Sequence, residues 1–233
     1  MTKEYKHLFF DLDHTLWDFE TNSVVTLKRV YDSFDLLSKG INDREKFISN
    51  YQAINIEMWG QFERGEITRT ELRVGRFYKL LCSYNIPDFQ FATTIAEAYL
   101  HLLPEQKALF PGTVELLNYL KAKPYQLHLI TNGFTKVQQH KIDNCGIAPY
   151  FTHLITSEMA NANKPHPEIF EFALNKSGAL IEHSIMIGDN PYADMLGAAK
   201  MGMDRILFNT NALPMEVEVT HEIQELLQLK TIL

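Results

Sequence analysis

The sequence predicts an α/β protein: a three-layer fold with a parallel sheet between helices, into which a four-helix domain is inserted. Three observations predict it. An apolar run, Leu8-Phe9-Phe10, stops at two carboxylates one residue apart, Asp11 and Asp13. Residues 17–103 hold one proline, Pro87, against eight in the 130 residues that follow. From Pro104 onward, helical periodicity alternates with short apolar strands, as in parallel strands joined by helical crossovers.

Leu8, Phe9 and Phe10 read as a buried strand. Positions two apart in an extended chain face the same side, so Asp11 and Asp13 project together from its end while Leu12 turns away. Two carboxylates that close repel unless a cation or a shared proton lies between them, which suggests a metal site or an acid/base pair. Asp and Thr are also ordinary turn residues after a strand. Four apolar faces with the spacing of a buried helix side follow: Leu27, Val30, Tyr31 and Phe34; Phe47, Tyr51, Ile54 and Met58; Phe77, Leu80, Leu81 and Tyr84; Phe91, Ile95, Ala98 and Leu102. Four such helices with short connections form a bundle, placing a helical domain at 17–103 and an α/β domain at 1–16 with 104–233.

In the second stretch, 113–121 reads as a helix with Val114, Leu117 and Leu120 inward, and 126–131 as a strand. A helix over 135–144 stops near Gly146, a strand lies around His153-Leu154-Ile155, and a helix opens at Pro165. A strand over 184–187, a helix over 193–200, a strand over 205–208 and a last helix over 219–229 complete the domain. In such a sheet, ligand sites form outside the carboxyl ends of the strands.

Composition narrows the function classes. The 233 residues are 45% hydrophobic and 22% charged, an ordinary globular balance with length for a sizeable core. No apolar run approaches the ~20 residues of a membrane span, and Met1-Thr2-Lys3-Glu4-Tyr5-Lys6 lacks the apolar stretch of a secretion signal. Cys82 and Cys145 are far apart and outside any CxxC pattern, which argues against a disulfide framework or a zinc cluster and points to a cytoplasmic setting. A net charge of −7 without clustered Lys and Arg argues against nucleic-acid binding but leaves room for a small phosphorylated substrate. There is no GxxxxGK[ST] loop and no GxGxxG fingerprint.

Polar residues recur where strands end. The first strand ends in Asp11 and Asp13, the second in Thr131-Asn132-Gly133, and the fourth in Gly188-Asp189-Asn190, with Asp194 five residues after Asp189. Asn163-Lys164-Pro165 sets a lysine before a helix. Singly, Thr131-Asn132-Gly133 reads as a turn, Lys164 as a solvated lysine, and Asp189 or Asn190 as a helix cap. Their conjunction at one edge of one sheet makes them candidates for a shared site.

With Asp11-Leu12-Asp13-His14-Thr15, Thr131-Asn132, Lys164-Pro165 and Gly188-Asp189-Asn190 with Asp194, the chain resembles the haloacid dehalogenase-like (HAD) hydrolases, mostly magnesium-dependent phosphatases with a Rossmann-like core. The helical insertion matches that family's cap domain. His14 departs from the pattern, since many members carry glycine there. Tyr51-Gln52-Ala53-Ile54-Asn55, Trp59, Gly65-Glu66-Ile67-Thr68, Gly75-Arg76-Phe77 and residues 131–135 resemble bacterial house-cleaning pyrimidine 5′-nucleotidases.

The resemblance implies that Asp11 attacks phosphorus and forms an aspartyl-phosphate, while Asp13 protonates the leaving alcohol and then activates water. Mg2+ would be held by the Asp11 carboxylate, the Asp13 carbonyl and Asp189, with Asn190 in support and Asp194 either supporting that shell or orienting Lys164. Thr131, the Asn132 amide and Lys164 would hold phosphoryl oxygens. Four carboxylates against Lys164 and one Mg2+ leave a single negative charge, which a proton on Asp13 would remove. Trp17 at the junction of the domains, with Asn55, Trp59 and Arg76 in the cap, are the candidates for contacting substrate. Each cap residue has a plain alternative, the aromatics as bundle core and Arg76 paired with an acidic neighbour. The implied partner is a nucleoside monophosphate, with no nucleic acid or membrane, acting on a monomer or weak homodimer. Phosphoglycolate or a sugar phosphate is the alternative substrate. A phosphomutase, a haloacid dehalogenase, which would lack an aspartate at position 13, and a non-catalytic binding protein of the same fold rank behind.

Overall fold

The computed structural model describes residues 4–210, 212 and 217–233; Met1, Thr2 and Lys3 of the segment inspected for a secretion signal lie outside them. The chain divides into two compact units, residues 1–19 with 107–233, and residues 20–106.

The first unit is built on a six-stranded sheet in the order β3-β2-β1-β4-β5-β6. Its strands are β1 (His7–Phe10), β2 (Gln126–Thr131), β3 (His153–Thr156), β4 (Ser184–Gly188), β5 (Asp204–Phe208) and β6 (His221–Ile223). Every pairing is parallel. All of β1 is buried, as is all of β4, so these strands read as continuous apolar runs rather than alternating ones. Phe9, Ile130, Ile155, Ile169, Phe170 and Met186 belong to one core cluster on the sheet. Phe10 sits level with Leu129 of β2 and Ile187 of β4, so the three central strands finish side by side. The chain order reverses at β1, with β2 on one flank and β4 on the other, the switch point where α/β sheets open a crevice.

Helix α1 (Phe19–Ser33) begins at the end of this unit, and α2 (Arg44–Glu63), α3 (Arg69–Cys82) and α4 (Phe89–Leu102) complete the second. Side-chain caps start three of these helices: Asp43 accepts from the Lys46 amide at 2.9 Å, Thr68 and Glu71 form a reciprocal capping box, and Asp88 accepts from the Phe91 amide at 2.9 Å. Each such cap is worth about 1 kcal/mol. Tyr51, Phe77 and Tyr99 are fully buried with ring centroids 4.8, 5.2 and 5.3 Å apart, so Phe77 serves the bundle core. Two helix faces are rotated from expectation. In α2 the inward residue is Asn55 rather than Ile54, and in α4 Ala92, Ile95, Ala96 and Tyr99 are buried while Ala98 is half-buried.

The remaining helices belong to the sheet-bearing unit: α5 (Thr113–Lys121), α6 (Thr135–Asn144), α7 (Ser157–Ala160), α8 (Pro167–Ser177), α9 (Gly197–Met201) and α10 (Leu229–Ile232). Val114 is 46% exposed, and Leu116 takes the inward place expected of it in α5. Helix α8 starts at Pro167 rather than Pro165; the Lys164–Pro165 peptide is cis, and Pro167 takes the first helical turn. The helix expected over 193–200 is a π-helix, Pro191–Leu196, running into α9. The helix expected over 219–229 is instead the edge strand β6, a 3-10 turn at Leu226–Gln228 and α10. Backbone pairing with β5 wins there over a local helical pattern. Among the described residues, no helix is long and apolar enough to cross a membrane.

Candidate active site

The ends of β1, β2 and β4 bring together the polar residues expected to form a site. Lys164 is their centre. Its side chain is 3% exposed, and its Nζ donates to Asp11 Oδ1 at 2.5 Å, Asp194 Oδ1 at 2.6 Å and the Ile130 carbonyl at 2.9 Å. Burial opposes the lysine's charge, but the Asp11 and Asp194 carboxylates outweigh it and hold the ammonium protonated. The Asn132 side chain fixes the Lys164 backbone from both sides, its Oδ1 accepting from the Lys164 amide at 2.7 Å and its Nδ2 donating to the Lys164 carbonyl at 3.1 Å. Ser157 donates to the Asn132 carbonyl at 3.0 Å.

Asp194 is fully buried, with one oxygen on Lys164 and the other accepting from the Asn190 amide at 3.1 Å. Gly188 is required beside it: a Cβ there would stand 2.2 Å from Asp194 Oδ2. Asn190 caps the π-helix through the Tyr192 and Ala193 amides, both at 2.9 Å. Asp189 Oδ1 accepts from the Thr15 hydroxyl at 2.9 Å. Burial and the Asp194 charge push the Asp189 carboxyl up to about 7. Burial likewise raises Asp11 well above the usual carboxylate range, with Lys164 pulling against it.

Asp11, Asp189 and Asp194 offer oxygens within 4.8 Å of one another. Lys164 supplies a single positive charge among them, so a divalent cation is the group that would let all three ionise. The donor set is hard oxygen, which suits magnesium. Both Asp194 oxygens are already engaged, leaving Asp11 and Asp189 as the carboxylates to hold such an ion.

Asp13 is held differently. Its Oδ1 accepts from Lys141 Nζ at 2.6 Å and its Oδ2 from Gln138 Nε2 at 2.9 Å. Gln138 Nε2 also donates to Thr131 Oγ1 at 2.7 Å, and the Gly133 amide donates to the same oxygen at 3.1 Å. With two donors on its oxygen, the Thr131 hydroxyl has its own hydrogen left to offer. Lys141 is buried, and its ammonium lies 4.2 Å from the Trp17 ring centroid and 5.7 Å from that of Phe19. Burial pushes the Lys141 ammonium below its ordinary range, against the pull of Asp13. His14 lies in the left-handed region at φ 63, where glycine is favoured, and its ring centroid is 4.9 Å from that of Phe19.

Sequence alone does not single out Gln138 or Lys141, and it names Thr15 only within the first motif, without a role. A signal existed for the first two: Gln138 and Lys141 share the face of α6 that buries Ile142. Polar residues on a buried face call for partners. Lys141 adds a second buried positive charge to the arithmetic. It matches the negative charge left after Lys164 and Mg2+ before substrate binds, and the proton that the resemblance assigns to Asp13 would accompany the further charge of a phosphate dianion.

The other substrate candidates lie in the helical unit, except Trp17, which is fully buried beside Lys141. Arg76 is 3% exposed and has no carboxylate partner among the described residues; its Nη1 donates to Asn55 Oδ1 at 2.6 Å and its Nε to the Leu72 carbonyl at 3.0 Å. The acidic neighbour expected for it is absent from that set. Its guanidinium carbon lies 5.9 Å from the Tyr51 ring centroid and 6.0 Å from that of Trp59. Among the described residues, the buried Tyr51 hydroxyl has no partner in good hydrogen-bond geometry.

Comparison with known proteins finds, among the curated relatives, the pyrimidine 5′-nucleotidase PynA of Streptococcus pneumoniae, 31% identical over 90% of this chain and 86% of its own, and the pyrimidine 5′-nucleotidase YjjG of Escherichia coli, 29% identical over 94% and 96%. The solved structure of YfnB from Bacillus subtilis, described as a putative HAD-hydrolase bound to magnesium, superposes with a TM-score of 0.90 at 28% identity, covering 99% of both chains. The haloacid dehalogenase-like hydrolase model matches residues 5–202, and with the strand-end residues in place the chain belongs to that family.

Proposed function

We propose that the protein is a magnesium-dependent phosphomonoesterase that works through an aspartyl-phosphate on Asp11, with a pyrimidine nucleoside 5′-monophosphate as substrate. The observation that carries the chemistry is the Asp11–Lys164–Asp194 chain of buried ion pairs at the switch point, with Asp13 beside it. A carboxylate nucleophile divides hydrolysis into two displacements at phosphorus. Lys164 fixes the Asp11 carboxylate through Oδ1, leaving Oδ2 to attack. The Thr131 hydroxyl takes a phosphoryl oxygen, and the Lys164 ammonium, whose three hydrogens go to Asp11, Asp194 and the Ile130 carbonyl, adds its positive charge beside it, stabilising charge where it develops. Asp13 gives its proton to the departing alcohol oxygen, breaking the P–O bond, and then takes a proton from the water that attacks the phosphorus of the aspartyl-phosphate. A magnesium ion held by Asp11, Asp189 and the Asp13 carbonyl would neutralise the phosphoryl charge and orient it for in-line attack.

The names of the two nucleotidase relatives support the substrate class, as does the chemistry of the helical unit. Arg76 and Asn55 offer donors in a buried, aromatic setting, and carbonyl oxygens of a pyrimidine suit such a group. The test is a phosphate-release screen over nucleoside and sugar monophosphates, with and without Mg2+, beside an Asp11→Asn control. Preference for deoxyuridine or thymidine monophosphate, lost on chelation and in the control, is the expected result. A strong preference for phosphoglycolate or a sugar phosphate overturns the substrate assignment, and activity retained by Asp11→Asn overturns the chemistry.

A further inference from the structure

We propose that Lys141 and Gln138 are positioning residues for the proton transfer at Asp13, aiming its carboxylate and tying its place to that of the phosphoryl group. The inference rests on the reading of Asp13 as acid and base. Helix α6 presents both side chains on one face, three residues apart, to the two oxygens of one carboxylate. A carboxylate with donors on both oxygens cannot rotate about its terminal bond without breaking them, yet each oxygen keeps lone-pair capacity for the travelling proton.

The cost of the arrangement argues for function. A buried lysine is unfavourable unless paired, and among the described residues Asp13 is its ion-pair partner. Packing of its ammonium over the Trp17 and Phe19 rings fixes the approach from the other side. Gln138 is fully buried and bridges Asp13 to Thr131 through one nitrogen, so the acid and the phosphate-binding hydroxyl share a donor. Gly133 makes room for it: a Cβ there would lie 2.5 Å from the Gln138 amide. Three elements, the β1 loop, the end of β2 and the face of α6, thereby fix the spacing between the leaving oxygen and the phosphoryl oxygens. Misplacement by 1 Å at such a site costs on the order of 100-fold in rate.

The test compares two leaving groups in single-turnover release. A nucleoside alkoxide needs a proton as it departs, whereas p-nitrophenolate does not, so loss of acid positioning lowers the ratio of nucleoside to nitrophenol release. Lys141→Met is expected to lower that ratio about 30-fold, a part of the roughly 100- to 10,000-fold that a positioned general acid contributes. Lys141→Arg is expected to restore it to within about fivefold, and Gln138→Leu to lower it in the same direction, which keeps the test alive should Lys141→Met fail to fold. An unchanged ratio in Lys141→Met and Gln138→Leu overturns the inference, whether or not both rates fall together. Asp13→Asn measured alongside separates the two levels. If it too leaves the ratio unchanged, the assignment of Asp13 as acid fails; if it lowers the ratio while the α6 variants do not, the positioning role alone fails.

Discussion

At the scale of single residues, the site is made by side chains whose neighbours leave them one place to go. Gly188 shows this most directly. Its missing Cβ is what admits Asp194, which holds Lys164, which holds Asp11. Gly188→Ala is expected to displace Asp194 and cut phosphatase activity about 100-fold, since the misplacement propagates to the nucleophile. Gly146→Ala is the comparison, at a position where a Cβ meets nothing within 4 Å although φ is 75. Measured kcat for the two variants checks this, and equal losses would show that Gly188 matters only for folding. Asp11, Asp13, Thr131 and Asp189 are legible in sequence because they follow or close an apolar strand at its carboxyl end, whereas Lys164 and Asp194 are legible only through the conjunction of motifs. Lys141 and Gln138 escaped because they sit on a helix, where a polar residue looks solvated until the partner it faces is known.

At the scale of elements, the strands were legible because burial on both faces leaves them continuously apolar, and 126–131 was placed to the residue. The final segment was not. A three-residue edge strand with two exposed positions carries too little pattern to compete with an apparent helical period. Three adjacent strands also carry a feature that no apolar pattern marks. His7, His128 and His153 stack across β1, β2 and β3 with centroids 5.5 and 5.4 Å apart, and His7 Nδ1 lies 3.2 Å from His128 Nε2. Burial, then the charges of His7 and His153, depress His128 to about 3, and burial, with His183 and Lys6, lowers His7. The unfolded chain takes up a proton near pH 6.5 that the folded His128 refuses, so its contribution to stability is full above that value and declines as pH falls toward 3. His128→Phe keeps a ring in the stack and removes the titration. Its melting temperature is expected to fall less steeply than that of the native protein between pH 7 and 4.5, and parallel slopes would rule the histidine out as the source.

At the scale of the whole molecule, the proposed function would divide the work, with chemistry in one unit and choice of substrate in the other. The sheet-bearing unit carries the groups that the proposed phosphoryl transfer uses. The helical unit carries a buried arginine whose charge no described carboxylate answers, a candidate reader of the leaving group. The reaction class was legible early because four motifs had to fall in one order along the chain; the substrate was less so, since helical periodicity marks Asn55 and Arg76 only as positions on a face. The central claim is that phosphate passes through Asp11. It is tested most directly by acid quenching during turnover of a nucleoside monophosphate, followed by borohydride reduction and peptide mass spectrometry. The account predicts that residue 11 is recovered as homoserine, in a magnesium-dependent manner, with no such product from Asp11→Asn. Steady phosphate release with an unmodified Asp11 at every quench time, while an acyl phosphate standard is reduced in parallel, would contradict it.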